Sequence, residues 1–367
     1  MITLEQIVRE LKSYDGDEIK IMEVCGTHTS SIFKNGIRTL ISPKIRLISG
    51  PGCPVCVTPS VYVDKLVDIA GQEGHCVLTF GDMMKVKGSQ MSLTEAVARG
   101  ADVKVLYSPL DAVKLALENK NIQYVFAAVG FETTTPIYGV LLEEVIKNEI
   151  HNLKLLTSLK TIVPAVSYVC EHEEKIDAFL SPGHVSVVIG CDVYRELAEK
   201  YKKPFVVAGF EGEHILAAIY EILRQIKQNR HDMKNMYTSA VTEKGNLKAQ
   251  SMIQKYFEVK DDFWRGIGTI EKSAYGLKAE YARYDAGSSF GEFKEALPKG
   301  CKCKEVILGR INPTECPLFS KGCTPLNALG PCMVSAEGVC GIWYKNVTVY
   351  RAPVNSNIRI EGEKYEH

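Results

Sequence analysis

The order of apolar and polar positions breaks most of the chain into short apolar runs alternating with amphipathic stretches. Leu4, Ile7, Val8 and Leu11 recur at the spacing of one helix face, which predicts a helix over 3–14. A mostly apolar run predicts a strand over 19–24, stopping at Cys25-Gly26-Thr27-His28-Thr29, with a helix over 30–40. Strands are then expected over 45–48, 76–80 and 103–107, and helices over 59–72, 92–99 and 109–119. A strand over 124–129 stops at Gly130-Phe131-Glu132-Thr133-Thr134. Further strands over 161–169, 185–189 and 205–208 lead to a long helix over 211–228. Strands alternating with helices imply parallel βαβ units.

The expected fold is therefore α/β, with two Rossmann-like parallel-sheet domains of similar plan. Val24 to Thr29 echoes Val129 to Thr134, and Ile189 to Asp192 echoes Thr79 to Asp82, as a duplication would leave them. The boundaries expected are 1–119 and 120–229, with the helix over 211–228 able to pack back on the first domain. The remainder, 230–367, has weaker periodicity and is expected to form a smaller C-terminal iron–sulfur domain.

Composition changes this picture in one respect. A length of 367 residues suits two or three domains, and 44 basic against 44 acidic residues argue against a nucleic-acid surface. The first residues are charged and lack an apolar signal core, and no apolar run is long enough to span a membrane. A cytoplasmic location is expected. Against that setting, 12 cysteines are the anomaly. Six fall at Cys301, Cys303, Cys316, Cys323, Cys332 and Cys340, among Pro313, Pro317, Gly322, Pro325, Gly330, Pro331 and Gly338. So turn-rich a stretch needs pinning, and in a reducing compartment metal outranks disulfide. Structural zinc favours two tight Cys pairs. The wide spacing Cys301-x14-Cys316-x6-Cys323-x16-Cys340 favours a [4Fe-4S] cluster, with zinc and plain thiols as the alternatives. Cys303, two residues from Cys301, competes for the place of first ligand.

Ligands of open α/β sheets bind beyond the carboxyl ends of the strands, and the unusual residues fall there. Cys53-Pro54-Val55-Cys56, between a strand and a helix, is a candidate redox dithiol on an exposed Gly-Pro-Gly turn; half a zinc site or two buried thiols are the alternatives. Cys25 and His28 are spaced either to ligate a soft metal or to pair nucleophile with base. Glu132 and His184 are candidate general acids or bases, or simple capping residues. No G-x-G-x-x-G or G-x-x-x-x-G-K-[ST] loop follows a strand, and there is no G-x-S-x-G elbow, so nucleotide binding and serine hydrolysis are unsupported.

Cys25-Gly-Thr-His-Thr29, Gly50-Pro-Gly-Cys-Pro-Val-Cys56, Gly130-Phe-Glu-Thr-Thr134, Pro182-Gly-His-Val-Ser186 and the C-terminal cysteine spacing together resemble the HypD family of [NiFe]-hydrogenase maturation proteins. The resemblance covers nearly the whole chain. It implies a scaffold that works with the small chaperone HypC to assemble an Fe(CN)2CO unit, with cyanide delivered by HypE from a carbamoyl group supplied by HypF. It implies that Cys25 helps hold the iron, that Cys53 and Cys56 are redox-active, and that Cys301, Cys316, Cys323 and Cys340 bind the cluster. The two cysteines left over, Cys303 and Cys332, are expected to relay electrons from the cluster to Cys53/Cys56; two inert buried thiols are the alternative. A competing function is a cluster-dependent thiol–disulfide oxidoreductase acting on an external disulfide.

Overall fold

The computed structural model describes residues 2–295 and 297–349. Its strands in chain order are β1 (Ile19–Glu23), β2 (Ile45–Ser49), β3 (His75–Thr79), β4 (Val103–Val105), β5 (Gln123–Gly130), β6 (Leu153–Lys160), β7 (Ala178–Pro182), β8 (Phe205–Ala208), β9 (Met233–Asn235), β10 (Phe257–Trp264) and β11 (Gly268–Leu277). One sheet runs β2-β1-β7-β8-β9 with every pairing parallel, Ile19 facing Ile45 and Ile21 facing Ala178. The other runs β10-β11-β6-β5-β3-β4, parallel except where the β10–β11 hairpin joins β6. The expected α/β class with two parallel-dominated sheets is what the chain forms.

The expected boundaries are corrected. The first sheet takes β1 and β2 from the start of the chain and β7 to β9 from beyond residue 178, while the second takes β3 to β6 and then β10 and β11. The cut at 119/120 would separate β4 from β5 within one sheet. Nor does a third domain begin at 230, since β9 to β11 complete the two sheets. The cause is pairing order, which chain order does not fix: β1 leaves its open edge to β7. Residues 350–367 of the expected third domain lie outside the described residues.

Two expected strands are helices. The apolar stretch read over 161–169 forms the helix Ile162–His172, and that over 185–189 forms the helix Gly183–Ile189. Short apolar runs do not separate a buried strand from a buried helix. Pro164 falls in the first helical turn, where its missing N–H costs no hydrogen bond, whereas mid-strand it would break the ladder. The echo of Thr79–Asp82 in Ile189–Asp192 therefore joins a strand end to a helix end and marks no duplication.

Packing explains the rest. The helix Leu4–Lys12 opens with a Thr3/Gln6 capping box and buries Ile7 and Leu11. Those side chains join Ile215, Ile219 and Ile222 of the helix Gly212–Lys227 in a core on the first sheet. A second core covers the second sheet through Phe126, Tyr138 and Leu155. A third and larger one joins the sheets, with Met22, Val24 and Ile48 beside Val125, Ala127 and Leu156. The cysteines of the last segment belong to this joining core. No helix among the described residues is long and apolar enough to cross a membrane.

Candidate functional site

Because β2, β1 and β7 are neighbours and parallel, their carboxyl ends place three loops side by side: Gly50–Cys56, Cys25–Thr29 and the start of Gly183–Ile189. The loops touch closely. A Cβ on Gly52 would lie 2.7 Å from both the N and the Cα of Cys25. A Cβ on Gly26 would fall within van der Waals overlap of the Glu337 carbonyl, so the C-terminal segment closes over the same point. The one-turn helix Pro54–Val57 packs on β5 and β6, and the Thr58 and Ser158 hydroxyls meet at 3.1 Å. The site is thus a seam between the two sheets, roofed by residues near 330–340.

Cys25 lies two residues beyond β1 and occupies the N-cap position of the helix Gly26–Lys34 in extended conformation. It is half-buried. Burial pushes its thiol up to about 11, while the Thr27 side chain and the N–H groups of Thr27 and His28 pull it back. The His28 side chain does not join this interaction. Its Nε2 meets the Gly209 carbonyl at 3.1 Å, and its ring lies 4.7 Å from that of Phe210. Burial lowers His28 to about 4, so the imidazole is neutral. His184 also packs against Phe210, with ring centroids 3.9 Å apart, and burial lowers it too. The two histidines therefore share an aromatic support for the Cys25 loop.

Sequence reasoning missed the carboxyl beneath this loop. Glu23 accepts hydrogen bonds from Thr29 Oγ1 at 2.7 Å and Ser49 Oγ at 2.5 Å, tying β1, β2 and the Cys25 helix together. Burial pushes it up to about 8. A lone acid inside the apolar run over 19–24 was the available clue.

Cys53 and Cys56 form a disulfide with Cα atoms 5.3 Å apart. They are 3% and 2% exposed, so the expectation of an exposed turn is corrected: Gly-Pro-Gly is packed inward against Met22 and Cys25. Cys53 Sγ accepts from the Cys56 N–H at 3.3 Å, and Cys56 Sγ lies 3.8 Å from the Pro331 carbonyl. Pro331 adjoins Cys332, so the dithiol touches the C-terminal segment directly.

There the thiols crowd. Cys301 and Cys303 have sulfurs 3.1 Å apart, Cys303 also reaches Cys332, and Cys332 reaches Cys340. Cys301, Cys303, Cys316, Cys323 and Cys340 line one small cavity with Val306, Leu318, Phe319 and Met333. Gly330 admits the sulfurs: a Cβ there would lie 2.6 Å from Cys303 Sγ and 3.1 Å from Cys301 Sγ. Among the described residues no three His, Cys, Asp or Glu side chains surround a common metal position. The donor set, all thiols in an apolar wall, fits soft-metal or iron–sulfur ligation.

Glu132 is set apart from the sulfurs. It is 2% exposed, and its Oε1 accepts the Ile162 N–H at 2.9 Å, satisfying the N-terminus of the helix Ile162–His172. Its Oε2 has no hydrogen-bond partner among the described residues, and burial pushes the carboxyl up to about 7. It lies at the wall of a cleft of about 820 Å3 that also includes Thr161, Val193, Leu247, Phe257 and Tyr275.

Comparison with known proteins accords with this arrangement. The family model described as "HypD: Hydrogenase formation hypA family" matches residues 2–347. The chain is 42% identical over 332 residues to the hydrogenase maturation factor HypD of Escherichia coli, covering 89% of each chain. It is 42% identical over 337 residues to HypD of Rhodobacter capsulatus, again with 89% of each covered, and 39% identical over 337 residues to HypD of Azotobacter vinelandii, with the same coverage. A seam of strand-end cysteine loops roofed by a thiol-rich segment, with relatives matched across nearly its whole length, places this chain in the HypD family of hydrogenase maturation factors.

Proposed function

We propose that this chain is the scaffold on which the Fe(CN)2CO unit of a [NiFe]-hydrogenase is assembled, in a complex with a HypC-type chaperone and with cyanide delivered by a HypE-type partner. The observation that carries this reading is the contact of Gly52 with Cys25, which sets a single thiol against a dithiol loop at one seam. Iron bearing cyanide and carbonyl is the cargo, and Cys25 supplies it with a thiolate. The N–H groups of Thr27 and His28 favour that thiolate against the cost of burial.

The cavity cysteines Cys301, Cys316, Cys323 and Cys340 would hold a [4Fe-4S] cluster, with Cys303 as the competitor for the place of Cys301. Such a cluster, when bound, supplies one-electron chemistry beside the remaining thiols. The chain's own residues provide the continuation. Cys303 touches Cys332, and Pro331 carries the neighbourhood of Cys332 onto Cys56. Attack by a Cys303/Cys332 thiol pair would reduce the Cys53–Cys56 disulfide next to Cys25 and leave Cys303 and Cys332 as the new disulfide, which two electrons from an external reductant, passed one at a time through the cluster, would return to thiols.

A plain thiol–disulfide oxidoreductase would need neither Cys25 nor the burial of its dithiol. An infrared spectrum of the chain, purified anaerobically with a HypC-type chaperone, tests the choice. Bands of iron-bound cyanide and carbonyl are expected, and Cys25→Ala should remove them while iron–sulfur absorption persists. A band-free wild-type complex that turns over an external disulfide efficiently would instead establish the oxidoreductase.

A further inference from the structure

Returning Cys303 and Cys332 to thiols takes electrons that this chain does not itself produce, so a donor has to reach the cysteine cavity from outside. The cavity is not equally deep on all sides. Cys301 and Cys316 are half-buried, whereas Cys303, Cys323, Cys332 and Cys340 are buried. The surface over the two shallow cysteines is built from the segments 297–304 and 316–329. These meet at Leu318, whose side chain lies 3.9 Å from a Cβ placed on Gly300 and whose carbonyl accepts the N–H groups of Lys321, Gly322 and Cys323. Asn327 Nδ2 donates to the Gly322 carbonyl at 3.2 Å, which brings Leu326 beside them.

Charge is uneven along the chain. The whole sequence balances 44 basic against 44 acidic residues, yet these two segments carry Lys299, Lys302, Lys304 and Lys321 and no acidic residue. All four lysines are exposed. Lys302 pairs only loosely with Glu305, at 3.9 Å, and the other three form no ion pair among the described residues. The nearest acids in sequence, Glu305 and Glu315, flank the segments, and the Glu315 carboxylate accepts the Asn312 N–H at 2.7 Å. Leu326, beside Lys321, is fully exposed. Lysines without counter-charges add little to the fold. What they create is a positive field over the shallow side of the cavity, with one apolar side chain inside it. Encounters between electron carriers are small and are steered by charge rather than by broad apolar burial.

We propose that the surface formed by Lys299, Lys302, Lys321 and Leu326 docks an acidic one-electron carrier protein beside Cys301 and Cys316. The inference rests on the reading that the cavity cysteines hold an iron–sulfur cluster, and it assigns the place where that centre is supplied with electrons. Carboxylates of the carrier meet the ammonium groups, and Leu326 adds a small apolar contact. Exposed ion pairs are individually weak, so the carrier leaves after each transfer. Lys304 extends the field toward the β10–β11 turn, where its Cα lies 3.5 Å from a Cβ placed on Gly266. Each encounter passes one electron inward and leaves the carrier oxidised. Two encounters and two protons break the Cys303–Cys332 disulfide and restore both thiols, ready for the next exchange with Cys53–Cys56.

The probe is plant-type [2Fe–2S] ferredoxin, a strongly acidic one-electron carrier, used with the anaerobically purified full chain whose iron and sulfide are measured in each sample. Gallium-substituted ferredoxin, which passes no electrons, reads docking alone through chemical-shift changes. Reduced native ferredoxin reads transfer through stopped-flow bleaching of the visible absorption. Lys299→Glu combined with Lys321→Glu should weaken docking and slow transfer by about tenfold or more at low salt, and high salt should close the gap to wild type. Photoreduced deazaflavin, a small reductant that needs no docking surface, should reduce wild type and variant at one rate. Lys120→Glu, exposed before the amino end of β5, is the control and should match wild type. Unchanged docking and transfer in the double variant overturn the docking surface, as does a wild-type chain with full clusters that the ferredoxin neither binds nor reduces. Wild-type protein without iron, sulfide or visible absorption overturns the cluster reading instead.

Discussion

Gly52 is pressed against the backbone of Cys25, where an added Cβ would meet the Cys25 N and Cα at 2.7 Å. Backbone atoms held in a strand end cannot move aside as a flexible side chain would. Gly52→Ala should therefore destabilise the fold by about 1–3 kcal/mol, the usual range for overpacking. It should also weaken the cyanide and carbonyl bands of the complex with a HypC-type chaperone. Gly291→Ala, where a Cβ meets nothing within 4 Å, is the control and should match wild type in both measurements.

Gly330 plays the same part for the cavity thiols. Gly330→Ala places a methyl group 2.6 Å from Cys303 Sγ. Iron bound per chain should fall, measured after anaerobic reconstitution. Gly322→Ala, with its nearest neighbour 3.9 Å away, should bind iron as wild type does. Cys301→Ala and Cys303→Ala, compared by the same measurement, identify the first ligand: the substitution that lowers iron names it.

Cys332 touches Cys303 and Cys340 while its neighbour Pro331 meets Cys56. Cys332→Ser should keep iron and visible absorption yet slow reduction of the Cys53–Cys56 disulfide, followed by alkylation of the freed thiols. A wild-type rate in that variant would leave Cys303 and Cys332 as inert packing.

Glu132 gives a pH dependence of defined sign. Its carboxyl is raised from 4.5 to about 7 in the folded chain, so between those values the folded state holds a proton that the unfolded state has lost. Its contribution therefore favours folding at low pH, weakens as pH rises from about 4.5 to 7, and is level above that. The full swing is on the order of 3 kcal/mol. Glu132→Gln keeps an acceptor for the Ile162 N–H and removes the titration. Denaturant unfolding should show the variant gaining on wild type at pH 8 and matching it near pH 4.5. Parallel stability curves for the two proteins would refute the assignment.

The sequence by itself determined the local grammar of this protein. Apolar runs ending in Cys25, Gly50, Gly81 and Gly130 marked the ends of true strands, because strand burial and turn chemistry are written within a few residues, whereas β7, ending at Pro182, was not read as a strand. The family, too, was legible, since its motifs are contiguous strings. Tertiary structure alone decided which strands pair. Parallel neighbours are joined by long crossovers whose destination no local pattern encodes, so β1 found β7 and the contiguous domains dissolved into interleaved sheets. It also decided that the helix Ile162–His172 is no strand, that His28 turns to Gly209 rather than to the Cys25 sulfur, and that the Arg265 N–H of the β10–β11 turn bonds to the Val57 carbonyl. These outcomes depend on burial and contact between segments tens to hundreds of residues apart, where the energy lies in the packed pair and in neither segment alone.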